Sequence, residues 1–274
     1  MVITSEDINL IKNWLLVSEE NKHVFNEAVS TFVRRWVESK SKLLKIFEKY
    51  KRGQRLTNDE IGVILEYAYD CACEFIENFF PGIRVENIYK DNKQHSLPDR
   101  IDVFSVHGVE IVIAAELKNY RQDYVSSRKC VYRNVVKRFN NVSADIKRIV
   151  HVKLVIGSLK CSKRVMRMLE EMGFIVCVIS ESQILTFEAF IRAVENIVII
   201  VLFIVLVKLL EDAIKAFFIL LEWLENSANS ESVMEKFESI MEEFDNMINR
   251  FISNMKRYLK KQRKRETIMY AVCR

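Results

Sequence analysis

The sequence predicts an α/β fold: helices first, then a mixed sheet with a hairpin and crossover helices, then helices to the end. Three observations predict it. Before residue 80, apolar residues recur every three or four positions, the period of an amphipathic helix. From Ile83 the period changes, and short β-rich runs alternate with helical ones, the order of a sheet covered by helices with parallel crossovers at its end. Half the residues are hydrophobic and 29% are charged, with 2 prolines and 6 glycines, a globular composition that leaves little room for long loops.

Residues 6–51 read as helices on stripes such as Ile8, Ile11 and Leu15, then Phe25, Val29, Phe32, Val33 and Trp36. "KRGQRLTND" (51–59) reads as a loop, with Thr57, Asn58 or Asp59 as N-cap of a helix over about 59–80. Pro81-Gly82 ends that helix. "IRVENIY" is a strand, and "IDVFSV" and "VEIVIAAEL" are strands joined at His107-Gly108, a hairpin signal. A basic helix over about 127–149 follows, then a strand at "VKLVIGS", a helix at "SKRVMRMLEEMG" stopped by Gly173, and a strand at "FIVCVIS". Residues 186–226 are one or two very apolar helices, and 233–259 carry a heptad-like stripe through Phe237, Phe244, Met247 and Phe251.

Within that region "IVIIVLFIVLV" (197–207) is an uninterrupted apolar run of eleven residues. A membrane span needs about 20, and extension brings in Glu211, Asp212 and Lys215. The reading is a helix buried against residues 217–255, within the chain or between two chains. The second case makes the C-terminal region a homodimer interface. Membrane association is the alternative.

The six cysteines include no CxxC pair and the four histidines are scattered, which excludes zinc-finger-like sites. Glu6 and Asp7 stand where a secretory signal carries basic residues, so the expected setting is intracellular, cytoplasmic, with reduced thiols. The net charge of +5 is unevenly spread. Arg121–Arg167 holds thirteen Lys/Arg against Asp123 and Asp145, and "KRYLKKQRKR" (256–265) has seven basic residues in ten. Such one-sign stretches suit a polyanion partner.

The chemistry concentrates in "SLPDRIDVFSVHGVEIVIAAELKNY" (96–120). Residues two apart on a strand share a face, so Glu116 and Lys118 project together at a strand exit. Carboxylates on neighbouring strand ends can hold a hard divalent cation. A lysine beside them can stabilise developing negative charge or orient a water. Pleat parity decides which aspartate joins Glu116. With a strict two-residue turn, Asp99 pairs with Glu116 and faces it. With three residues, Asp102 does.

Pro98-Asp99, Asp102 and Glu116-Leu117-Lys118, with the order of elements over about 58–183, resemble the PD-(D/E)xK nuclease superfamily. The resemblance implies a restriction-endonuclease-like core, 58–185; outside it the periodicity reads as a helical extension over 1–57 and a helical region with a basic tail over 186–274. The resemblance also implies a Mg²⁺-dependent (or Mn²⁺-dependent) deoxyribonuclease acting on DNA. A homodimer is expected, because cutting two strands commonly takes two sites. The family's usual form favours Asp102 as metal ligand beside Glu116, with Asp99 second, and Lys118 as the catalytic lysine. A glutamate on the preceding helix often joins them, here Glu66 ahead of Glu74. Tyr120, Arg121, Arg133, Lys137, Arg138 and Gln183 are candidate nucleic-acid contacts. The alternatives are a nuclease fold that binds nucleic acid without cutting it and a membrane-tethered helical scaffold.

Overall fold

The computed structural model describes residues 1–90, 97–106, 108–118, 135–140, 142–157, 163–178, 184–225, 239, 242 and 246–262. Four helices lead: α1 (Ser5–Leu16), α2 (Glu19–Glu38), α3 (Ser41–Lys51) and α4 (Asn58–Phe79). Their starts follow from local chemistry. Thr4 and Thr57 each accept from the backbone three residues on, while Asp7 and Glu60 reach back to the cap. These capping boxes satisfy amides that a helix start otherwise leaves orphaned.

Six strands form one mixed sheet: β1 (Val2–Ile3), β2 (Ile83–Lys90), β3 (Arg100–Val106), β4 (Val109–Lys118), β5 (Val152–Gly157) and β6 (Phe174–Val178). Their order is β1-β6-β5-β4-β3-β2. β2, β3 and β4 are antiparallel, while β4, β5, β6 and β1 run parallel. Val106 pairs with Val109, so the β3–β4 turn holds two residues. Gly108 takes φ 86° there, a conformation that only glycine adopts without strain. The mixed α/β expectation is met. β1 was not foreseen; two residues are too short to show a period, and pairing with β6 makes them a strand.

Alternation along the strands splits the core between two faces. Phe104, Ile113, Ala115, Leu117 and Ile156 face a thick helical layer. Ile101, Val103, Val112, Ala114 and Val155 face a thin one made by α5 (Lys137–Phe139), α6 (Val142–Ile146) and α7 (Lys163–Glu171). The basic helix expected over 127–149 falls partly outside the described residues. Within them it is α5 and α6, ending before Lys147, whose φ is 54°.

The thick layer joins α1–α4 to α8 (Phe187–Glu225), one helix of 39 residues, and to a helix over 246–262. α8 packs on α4, α1, α2 and β4. Every residue from Ile197 to Leu206 is buried except Phe203, which is half-buried with its ring edge-on to Trp14. A helix apolar all round is one enclosed on every side, and here the enclosure lies within one chain. The apolar run is thus buried within the chain, on the helices that precede the sheet and in one core cluster with Met247, Phe251, Ile252 and Met255. No described helix carries the uninterrupted apolar length of a span. The 246–262 helix is held by Phe251 against Phe25, Phe75 and Phe80, and by Asn254 donating to the Phe79 carbonyl at 3.2 Å. The 263–274 part of the basic tail lies outside the described residues.

Leu206 is 1% exposed. Leu206→Ala should therefore cost about 2–5 kcal/mol, the range for emptying a leucine-sized volume in a packed core. Denaturant unfolding measures it; a loss near zero would mean that the α8 packing is wrong.

Candidate active site

The site lies where the antiparallel hairpin meets the parallel strands. Arg100 pairs with Ala115, so one step further Asp99 stands across from Glu116. The contacts bear this out. Asp99 Oδ2 accepts from the Leu117 amide at 2.8 Å and from Lys118 Nζ at 3.2 Å. Its Oδ1 accepts from Arg138 Nη1 at 3.0 Å, and the same nitrogen donates to Glu116 Oε1 at 2.6 Å. Lys118 Nζ also pairs with Glu116 Oε1. Two carboxylates and two cations thus form one cluster, closed from the thin-layer side by the start of α5.

Glu116 is 0% exposed, while Asp99, Lys118 and Arg138 keep a sixth to a fifth of their side chains in water. Burial pushes the Glu116 carboxyl up to about 7; Lys118 and Arg138 pull it back, and Asp99 adds to the rise. Its Oε2 is buried with no hydrogen-bond partner among the described residues. A buried acceptor left bare carries a desolvation cost, which a cation beside the carboxyl would offset.

Asp102 is elsewhere. It pairs with Ile113 and faces the thick layer, the opposite side of the sheet from Glu116. Asn87 pairs with it, just before a register shift between Asn87 and Tyr89, and Asn87 Nδ2 donates to Asp102 Oδ1 at 2.7 Å. The Tyr69 hydroxyl and the Cys73 thiol lie beside it. Burial pushes the Asp102 carboxyl up to about 6, with Asn87 and Tyr69 opposing the rise. The placement of Asp102 beside Glu116 is therefore corrected: the turn has two residues, and strand parity selects Asp99.

Glu66 also misses the cluster. It pairs with Arg100 Nη2 at 3.3 Å, and Asp70 accepts from Arg100 Nε at 3.0 Å. Arg100 is 1% exposed and its Nη1 donates to the Asp99 carbonyl at 2.7 Å. Glu66 thus acts on Asp99 only through Arg100, which anchors the backbone from the far face. Glu74 is exposed and accepts from Trp36 Nε1 at 2.6 Å, away from the sheet.

No family model, curated protein or solved structure matches the chain. What the site can do is therefore argued from its own atoms. Lys137, the neighbour of Arg138, is exposed. Tyr120, Arg121, Arg133 and Gln183 lie outside the described residues.

Two contributors escape a reading of the sequence. Glu66 and Asp70 are four apart on α4 and so share a helix face, a legible signal that they act as a pair. Their partner Arg100 gives no such signal, because nothing local marks a strand arginine as buried. Gly157 is the other. It pairs with Lys118 across β4–β5, and a Cβ there would collide with the Lys118 carbonyl oxygen. Glycine at this point lets β5 close against the strand end that carries the lysine.

Proposed function

We propose that the chain is a metal-dependent DNA endonuclease that hydrolyses phosphodiester bonds, built on a restriction-endonuclease-like core of the PD-(D/E)xK kind. The observation that carries the reading is the meeting of Asp99, Glu116 and Lys118 in one cluster at adjoining strand ends. The resemblance rests on Pro98-Asp99, Asp102 and Glu116-Leu117-Lys118, and of these Asp99, Glu116 and Lys118 are the side chains brought together.

The donor set suits Mg²⁺ or Mn²⁺. Among the described residues no group of three or more potential ligands gathers. Mg²⁺, however, commonly takes one or two carboxylates and completes its shell with water and substrate phosphate. Asp99 and Glu116 would hold it, and the bare Glu116 Oε2 leaves that carboxyl with acceptor capacity to spare. When bound, the ion supplies Lewis acidity and an activated water. Lys118 holds a positive charge beside both carboxylates, where it orients a water or meets charge developing on the phosphoryl oxygens. Arg100 is a positioning residue that fixes Asp99 from behind. The basic stretches add sequence-independent affinity for the phosphate backbone.

The setting proposed is intracellular, in keeping with the free, buried Cys71, Cys73 and Cys177. A homodimer remains the proposed working form for duplex cleavage, through a surface other than the buried face of α8. The test is to incubate purified protein with linear, circular, single-stranded and branched DNA, with Mg²⁺ or with chelator. Chelator-sensitive cleavage of any of these supports the reading. Tight DNA binding without cleavage, in Mg²⁺ and in Mn²⁺ alike, would replace it with a binding role.

Gly157→Ala should lower cleavage more than it lowers stability. The added methyl must push β5 off the Lys118 backbone, costing about 1–3 kcal/mol as overpacking does. A displacement of about 1 Å at a catalytic group can cost on the order of 10²-fold in rate. A variant that melts early yet cuts at the wild-type rate while folded would show that the close approach does not position the lysine.

A further inference from the structure

We infer that Arg138 is a built-in counter-cation that occupies the divalent-metal position and must leave for the metal to bind. The inference rests on the metal site proposed above and goes beyond it, because it assigns a coupling between metal loading and one side chain.

Two cations bridge the carboxylates: Lys118 Nζ meets Asp99 Oδ2 and Glu116 Oε1, and Arg138, on a separate element, meets Asp99 Oδ1 and Glu116 Oε1. A single nitrogen, Arg138 Nη1, lies 3.0 Å from Asp99 Oδ1 and 2.6 Å from Glu116 Oε1. A guanidinium usually meets one carboxylate through two nitrogens; here one nitrogen bridges two carboxylates, as a metal centre does. An ion bound to the same two oxygens at the about 2.1 Å that Mg²⁺ requires would overlap that nitrogen. Charge gives the same answer. Asp99 and Glu116 are balanced by Lys118 and Arg138, so with both carboxyls ionised the cluster is neutral. A divalent ion entering a neutral cluster gains little. With Arg138 swung out, the same ion meets a net negative site. Arg138 is the middle residue of a three-residue helix and keeps 18% of its side chain exposed. A path outward is therefore open to it, whereas Glu116 is fixed within β4. Without metal, the arginine keeps two like charges together that would otherwise repel across the strand pair.

The experiment is a Mn²⁺ titration of the full chain by calorimetry at low salt and pH 8, without DNA. Wild type is compared with Arg138→Met and Arg138→Lys. Removing the competing charge should tighten Mn²⁺ binding at least about tenfold in Arg138→Met. That is a modest part of what Coulomb's law allows for a unit charge about 4 Å from a divalent ion at an effective dielectric near 20. Arg138→Lys, which keeps the charge, should stay near wild type. A second measurement covers the case in which Arg138→Met does not fold. Phenylglyoxal labelling of wild type, read by peptide mass spectrometry, should modify Arg138 slowly without metal and faster with Mn²⁺. Equal or weaker Mn²⁺ binding by folded Arg138→Met overturns the displacement but leaves the metal site standing, since wild type still binds. Labelling at Arg138 that Mn²⁺ leaves unchanged or slows does the same. If neither wild type nor folded Arg138→Met binds Mn²⁺, the metal site itself falls and the displacement with it.

Discussion

Glu116→Gln and Lys118→Met proteins should cut DNA at least about 10³-fold more slowly than wild type, the scale of losing a positioned charge or proton-handling group from a reaction centre. Both should fold. Gln keeps the volume of Glu116 and needs no counter-charge in a site that water does not reach. The pH sign follows from the raised carboxyl. Glu116 titrates near 7 in the fold instead of at its ordinary 4.5, because burial outweighs the attraction of Lys118 and Arg138. The folded chain therefore holds a proton over that window that the unfolded chain has lost, and stability falls as pH rises from about 4.5 to about 7. Glu116→Gln escapes that fall, so at pH 8 it should melt no lower than wild type. A protonated Glu116 cannot ligate a cation, so wild-type cleavage at sub-saturating Mg²⁺ should drop as pH falls below about 7. Rates, melting curves and a pH profile test the argument together. Full activity in either variant would remove the cluster from the chemistry.

The strands and most helices were legible because each carries its own period. The alternation in "IDVFSV" and "VEIVIAAEL" follows a sheet with helices on both faces, and the stripe Ile61, Leu65, Ala68, Ala72, Phe75 and Phe79 follows α4 against that sheet. Other features depend on distant partners and carried no local mark. α8 is apolar on every side, so its pattern says that it is enclosed and not by what. Its neighbours turn out to be α1, α2 and α4, which come more than a hundred residues earlier. The site was legible in residue type and ambiguous by one residue in register. Glu116 and Lys118 share a face by strand geometry alone. The choice between Asp99 and Asp102 hung on the length of one turn, which Val106 pairing with Val109 decides. Arg138 was legible as a candidate nucleic-acid contact within a basic stretch; its place between two carboxylates needs the fold.

Asp99→Asn and Asp102→Asn should have opposite outcomes. Asp99 joins Lys118, Arg138 and the Leu117 amide in the cluster. Removing its charge leaves one metal-ligating carboxylate, and cleavage should fall at least about 10³-fold, as for Glu116→Gln. Asp102 points to the other face and touches none of these groups, so Asp102→Asn should cut DNA at the wild-type rate. Its effect is on stability. Burial holds the Asp102 carboxyl near 6, against an ordinary 3.8. The native state thus keeps a proton between about 4 and about 6 that the unfolded chain releases, and wild-type stability declines as pH climbs through that range. That difference corresponds to about 3 kcal/mol. Asparagine carries no charge, keeps an oxygen to accept from Asn87, and turns an amide towards the Tyr69 hydroxyl beside it. Asp102→Asn should therefore match wild type near pH 4 and exceed it by up to about 3 kcal/mol at pH 8. Denaturant melts at the two pH values measure the gap. If Asp102→Asn abolishes cleavage while Asp99→Asn spares it, the metal carboxylate lies on the α4 face and the cluster around Glu116 is an ion-pair network only.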